Sequence, residues 1–226
     1  MKQSIMAMIF GFTFLAGNVA WGDSLTTSAD SGNPKSITGI SSIDVTGADM
    51  AGMGVTVFFD NGSSQGGTWS AMGANVGGIQ MADWFLTQGG NTYTGDASGG
   101  APDSSSFNWK LQNTNSSGQG LTKVIVNAEM GNAVLDIIGD PKMTEASGFG
   151  TPFNIIDTTT GLQVKATYLN PVGMGGETPM GDLFAGFQLE FLNTGGLPVG
   201  SSLNFSLDTD MAIFPAVLPP INGEIP

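Results

Sequence analysis

The sequence predicts an all-β protein, an antiparallel β-sandwich or jelly roll of about nine or ten strands. Three observations predict it. Apolar side chains recur at every second position in run after run, while helical periodicity is hard to find. Polar, glycine-rich clusters such as Gly89-Gly90-Asn91, Gly95–Ser106 and Gly173–Thr178 separate the runs. Glycine, at 35 residues, disfavours long helices, because each interior Gly costs about 1 kcal/mol relative to Ala. A closed barrel is the alternative architecture.

Residues 1–22 have the pattern of a secretory leader. Lys2 supplies the positive start, Ile5–Gly17 is an apolar run, and Ala20-Trp21-Gly22 puts small residues at the positions that precede a cut before Asp23. The run is too short for a spanning helix, which needs about 20 residues. No later stretch is apolar enough to cross a membrane as a helix. Residues 23–36 are polar, and the expectation there is a flexible segment able to pair with a neighbour's sheet edge.

Residues 37–214 are expected to form one sandwich domain. Ile37–Val45 is its first strand. In the next, Val55, Val57 and Phe59 share a face, and Asp60-Asn61-Gly62-Ser63 has turn chemistry. Trp69 adds a short strand, and Gly78–Leu86 follows. Phe107, Trp109 and Leu111 alternate with Asn108, Lys110 and Gln112, which places Trp109 in the core. Leu121–Ala128, Ala133–Ile138 and Leu162–Tyr168 read as strands, with a short helix near Asp140–Ala146. The clearest half-buried strand puts Leu183, Ala185, Phe187, Leu189 and Phe191 on one face, with Gln188 and Glu190 opposite. Leu203–Leu207 is the last strand. The proline-rich tail, residues 215–226, is expected to be extended and loosely held.

Composition excludes whole classes of chemistry. The chain has no His and no Cys, and all six basic residues are Lys. A Ser/His or Cys/His nucleophile pair is therefore impossible, as are ordinary zinc, haem and iron–sulfur sites. With a net charge of -13 and no Arg, phosphate backbones are repelled, so no nucleic-acid partner is expected. Gly62-Ser63-Ser64-Gln65-Gly66 matches the nucleophile-elbow spacing, but the elbow needs a His partner and a following helix, and neither is present.

Paired carboxylates are the general acid/base apparatus that remains. A glycosidase needs two acids facing each other across a cleft. Glu129, Asp136, Glu177 and Glu190 are candidates that no pattern pairs, so no catalytic residue is named. Asp208-Thr209-Asp210 is more informative. A strand's period of two puts both carboxylates on one side, with Asn204 and Ser206 behind them. Oxygen-only donors suit calcium, and Asp182 supplies a third carboxylate if the strand ends adjoin. Asp96 and Asp103 are a weaker second option. For carbohydrate binding, planar rings beside loops make the platform, and Trp69, Trp84 and Tyr93 are the candidates.

From about residue 37 to 214 the order of short motifs resembles the ectodomain of a PEP-CTERM-type exported bacterial protein. The pieces are Asp83-Trp84-Phe85-Leu86, Phe107-Asn108-Trp109-Lys110-Leu111, Gly150-Thr151-Pro152-Phe153, Gly181-Asp182-Leu183-Phe184 and Leu203-Asn204-Phe205-Ser206-Leu207-Asp208-Thr209-Asp210. The resemblance implies a secreted or surface β-sandwich linked to extracellular polysaccharide or biofilm material. The group's sorting tag is not among these residues, which reach Gly223-Glu224-Ile225-Pro226, so tag processing is not carried over. The expectation is a non-enzymatic structural or adhesive protein of the bacterial surface or matrix, calcium-stabilised, with polysaccharide or further copies of itself as partners. A carbohydrate-binding module is the alternative, and a carboxylate-dependent glycosidase the third reading.

Overall fold

The computed structural model describes residues 23–30, 33–42, 45–92, 109–138, 150–158 and 161–215. Tyr93, Asp96, Asp103, the expected helix near Asp140–Ala146 and residues 216–226 lie outside the described residues. Apart from one 3-10 turn, every regular element among the described residues is a strand. It opens with β1 (Ser24–Ala29), β2 (Lys35–Ile37) and β3 (Ile40–Ser42). The hairpin of β4 (Gly54–Phe59) and β5 (Ser64–Thr68) follows. In its turn Gly62 takes a φ of +82°, and Asn61 Oδ1 accepts from the Ser63 N–H at 2.9 Å. Next come β6 (Ser70–Ala71), β7 (Val76–Gln80) and β8 (Trp84–Gly89), then β9 (Trp109–Asn113), β10 (Leu121–Asn127) and β11 (Ala133–Asp136). The chain continues through β12 (Asn154–Thr158), β13 (Gln163–Met174) and β14 (Leu183–Phe191), and ends with β15 (Ser202–Ser206) and β16 (Asp208–Ala212).

These strands form two sheets, one of ten strands and one of six in the order β12-β15-β9-β8-β7-β6. The ten-stranded sheet is built around β14. On one edge of β14 lies β13, and on the other β10 pairs with Glu190–Gly186 while β11 pairs with Phe184 and Leu183. The sheet forks there, β4 and β5 continuing outside β10, and β16 and β3 outside β11. A single 3-10 turn, Glu129–Gly131, followed by Asn132 at φ 53°, makes the fork. Gly131 is required in that turn, because a Cβ would press on Met53 Cγ and the Met50 carbonyl.

The main core lies between the sheets. Trp109 of the six-stranded sheet stacks on Phe205 at 5.6 Å between ring centroids and meets the ring of Phe187, from the other sheet, edge-on at 5.8 Å. The chain passes between sheets at two one-residue corners, Trp69 between β5 and β6, and Leu207 between β15 and β16. Trp69 donates its indole N–H to the Gly47 carbonyl at 2.8 Å, and Trp109 donates to the Leu207 carbonyl at 3.1 Å. The two indoles touch, 5.3 Å apart. A second, smaller apolar cluster of Ile37, Val134, Val172, Leu183, Ala185 and Ala212 packs apart from the main core.

The β-sandwich expected from the sequence is the fold, with three corrections. First, the ten-stranded sheet is mixed: β1 and β2 both run parallel to β13. Residues 24–29, expected to be flexible, are therefore a strand of the chain's own sheet. Second, two expected strands are divided: Ile37–Val45 takes in the end of β2 and all of β3, and Gly78–Leu86 takes in parts of β7 and β8, a tight antiparallel pair. Third, Leu183 and Ala185 do not share a face with Phe187, Leu189 and Phe191. The first two belong to the smaller cluster, whereas Phe184 and the last three face the main core. The two-residue period slips at Gly186, where a Cβ would strike the Val126 carbonyl, and opposite Asn170, which has a φ of 55°.

Candidate functional site

The acidic residues of β16 meet a third acid that the sequence reading treated only as an unpaired candidate. In the register of β11 against β16, Asp136 is the partner of Asp208 and Val134 the partner of Asp210. Side chains directly opposite in adjacent strands share a face, so Asp136, Asp208, Asp210 and Val134 lie together on the side of the smaller core. Their exposures are 0% for Asp136, 3% for Asp208 and 2% for Asp210. The loop before β12 covers them: Thr151 donates its N–H to the Asp136 carbonyl at 3.0 Å and accepts from the Asp208 N–H at 3.1 Å. Gly150 lies so close that a Cβ there would collide with Asp136 Oδ1.

Burial and like charge set the protonation of this corner. Burial pushes Asp208 up to about 8, and the neighbouring charges of Asp210 and Asp136 push in the same direction. Hydrogen bonds from the Thr209 N–H at 2.9 Å and the Thr92 hydroxyl at 3.2 Å partly offset this. Burial also raises Asp210, to about 6, against a hydrogen bond with Asp136 that favours its ionised form. Among the described residues, Asp210 Oδ2 has no hydrogen-bond partner, though it is buried. An uncompensated carboxylate oxygen in such a place is costly.

Asp182 is fully buried but does not extend this face. Its carbonyl accepts from the Ile137 N–H at 3.0 Å, and its Oδ1 accepts from the Leu183 N–H at 3.0 Å. Strand alternation sets Asp182 with Ile137 and Phe184 on the main-core side, one residue out of phase with Asp136 and Leu183. The third acid beside Asp208 and Asp210 is therefore Asp136. The sequence held one signal for it: a lone carboxylate at the end of the apolar run Ala133-Val134-Leu135. Among the described residues, no group of three or more His, Cys, Asp or Glu side chains stands ready-arranged around a metal position.

The aromatic platform is corrected. Trp69 is 1% exposed and Trp84 is 0% exposed, so neither ring offers a face to a sugar. Each is interior because its indole N–H is satisfied there, Trp69 by Gly47 and Trp84 by Gln65 Oε1 at 3.0 Å. Gln65 also donates to Asp83 Oδ2 at 2.6 Å, so β5 and the start of β8 are clipped together across the two sheets. The remaining acid candidates are dispersed. Glu129 pairs with Lys35 at 2.9 Å, Glu190 lies 3.7 Å from Lys165, and Glu177 is exposed. Ser63 and Gly66 of the elbow-like spacing lie in and after the β4–β5 hairpin turn, which leads into a strand.

Comparisons with protein families, with curated proteins and with solved structures find no match for this chain.

Proposed function

We propose that the protein is a non-enzymatic structural or adhesive β-sandwich of a bacterial extracellular surface or matrix, exported behind residues 1–22 and braced at its acidic corner by calcium. The observation that carries this reading is the sealing of Asp136, Asp208 and Asp210 at 0–3% exposure. Carboxylates that hydrolyse a polysaccharide flank it in a cleft open to the polymer. Here a glycan chain cannot reach the carboxylates, and any occupant would have to be a desolvated ion. A cation also supplies what the corner lacks, since it would take Asp210 Oδ2 as a ligand and cancel the mutual repulsion of the acids. Calcium accepts six to eight oxygens in flexible geometry. The carboxylates would rotate toward the ion and share it with backbone carbonyls.

Millimolar calcium is expected to raise the melting temperature of the wild-type protein and to leave that of Asp208→Ala unmoved. No shift in the wild type removes calcium from the proposal while leaving the scaffold role standing. The scaffold role has its own test, co-sedimentation with extracellular polysaccharides. Release of reducing sugar from those polymers would instead restore the glycosidase.

A further inference from the structure

Among the described residues, the edge strand β1 pairs with one strand only. All six of its residues are in parallel register with β13, from Ser24 opposite Gln163 to Ala29 opposite Tyr168. Its side-chain bonds go to the same stretch: Ser28 Oγ lies 3.0 Å from Thr167 Oγ1, and just before the strand Asp23 Oδ1 accepts from the Leu162 N–H at 3.0 Å. Four of its six side chains are exposed, and Leu25 alone packs against the main core. The strand carries no Lys or Pro and no bulge, the devices that normally discourage edge pairing.

The next element is held differently. Ile37 of β2 is fully buried in the smaller core, its carbonyl accepts from the Gly175 N–H at 2.8 Å, and Lys35 is paired with Glu129. Between the two strands lies only Asp30-Ser31-Gly32-Asn33-Pro34, of which Asp30, Asn33 and Pro34 are exposed. The boundary between a detachable piece and an anchored one therefore falls in this link. When β1 leaves, the Val164-Lys165-Ala166-Thr167-Tyr168 edge of β13 is bare, and the segment that fits it, residue for residue, is another β1.

We propose that β1 is an exchangeable strand, and that in concentrated protein the β1 of one copy occupies the β13 edge of a second copy. The exchange recreates every bond described above, so its cost is the opening of one short parallel ladder. With the leader removed before Asp23, as the sequence predicts, β1 is the first element of the chain. Because donor and acceptor are different surfaces, successive exchanges give open strings unless two copies exchange reciprocally. This inference does not depend on calcium or on any sugar ligand.

The chain contains no cysteine, so introduced thiols report without interference. Ser28→Cys and Thr167→Cys chains are prepared separately after export, mixed at high concentration and oxidised. The expected product is a covalent dimer joining the two different variants, at least tenfold above the level in dilute mixtures. The double variant, oxidised when dilute, should close within one chain, which establishes that the two thiols reach each other. Light scattering of the unaltered chain should show mass rising with concentration. Links only between like variants, or no link between chains at any concentration, would overturn the proposal, as would a mass that stays monomeric to millimolar concentration.

Discussion

The main core and the smaller cluster are both almost dry, yet they are dry for different reasons. Between the sheets, Trp109, Phe187 and Phe205 bury apolar rings against one another, and each contact is favourable by itself. In the smaller cluster, Val134, Leu183 and Ala212 share their face with Asp136, Asp208 and Asp210, whose burial is favourable only if their charge is neutralised. The difference teaches that one sheet can carry an unconditional half and a conditional half. Stability of the first answers to volume, and stability of the second answers to protons and cations.

The largest expected effect breaks the unconditional half. Trp109→Ala removes the ring that contacts both sheets and leaves the Leu207 carbonyl without its donor. A loss of about 3–5 kcal/mol is expected in denaturant titration, with calcium making no difference to the loss.

Next comes pH, which should act on the conditional half. Asp208 is raised from 3.8 to about 8, so between those values the folded state holds a proton that the unfolded state has released. Stability without calcium is therefore greatest near pH 4 and falls as pH rises toward 8, with Asp210 contributing its share by about pH 6. A melting-temperature series in chelator should show this fall, Asp208→Asn should flatten it, and calcium should oppose it by favouring the ionised forms.

A smaller effect is expected from Gly150→Ala, whose methyl would press on Asp136. About 1–3 kcal/mol of destabilisation is expected, together with a weakened calcium response, a pairing that no substitution in the aromatic core should produce. The smallest is Lys165→Ala. Its partner Glu190 is 3.7 Å away and both side chains are over a third exposed, so the change should be no more than about 0.5 kcal/mol and should vanish in high salt.

Much of the sandwich was legible because alternation survives wherever one strand face is dry and the other wet. β4 and β9 are buried at every second residue, in step with Val55, Val57, Phe59, Trp109 and Leu111. Legibility failed where both faces are covered. Residues 183–187 of β14 are all buried, so no alternation marked the slip at Gly186 that turns Leu183 and Ala185 away. It failed again for β1, a polar strand whose parallel pairing is held mainly by backbone bonds and therefore leaves almost no side-chain signature. Trp69 looked loop-side in sequence and alternation did not place Trp84, because the acceptors that draw them inward, Gly47 and Gln65, are 22 and 19 residues away. The pairing of Asp208 with Asp210 followed from strand period alone. The choice of Asp136 over Asp182 needed the register of a strand more than 70 residues earlier, which period cannot supply.

The two one-residue corners have a mechanical consequence. A layered protein whose sheets are joined by long loops can shear, one layer sliding until the loops go taut. At Trp69 and Leu207 there is no such slack, and an indole hydrogen bond ties each corner down, from Trp69 to the Gly47 carbonyl and from Trp109 to the Leu207 carbonyl. Tension applied between β2 and β16 would therefore load both layers together, and once the edge strand β1 has parted the two sheets should yield in a single rupture rather than by gradual peeling.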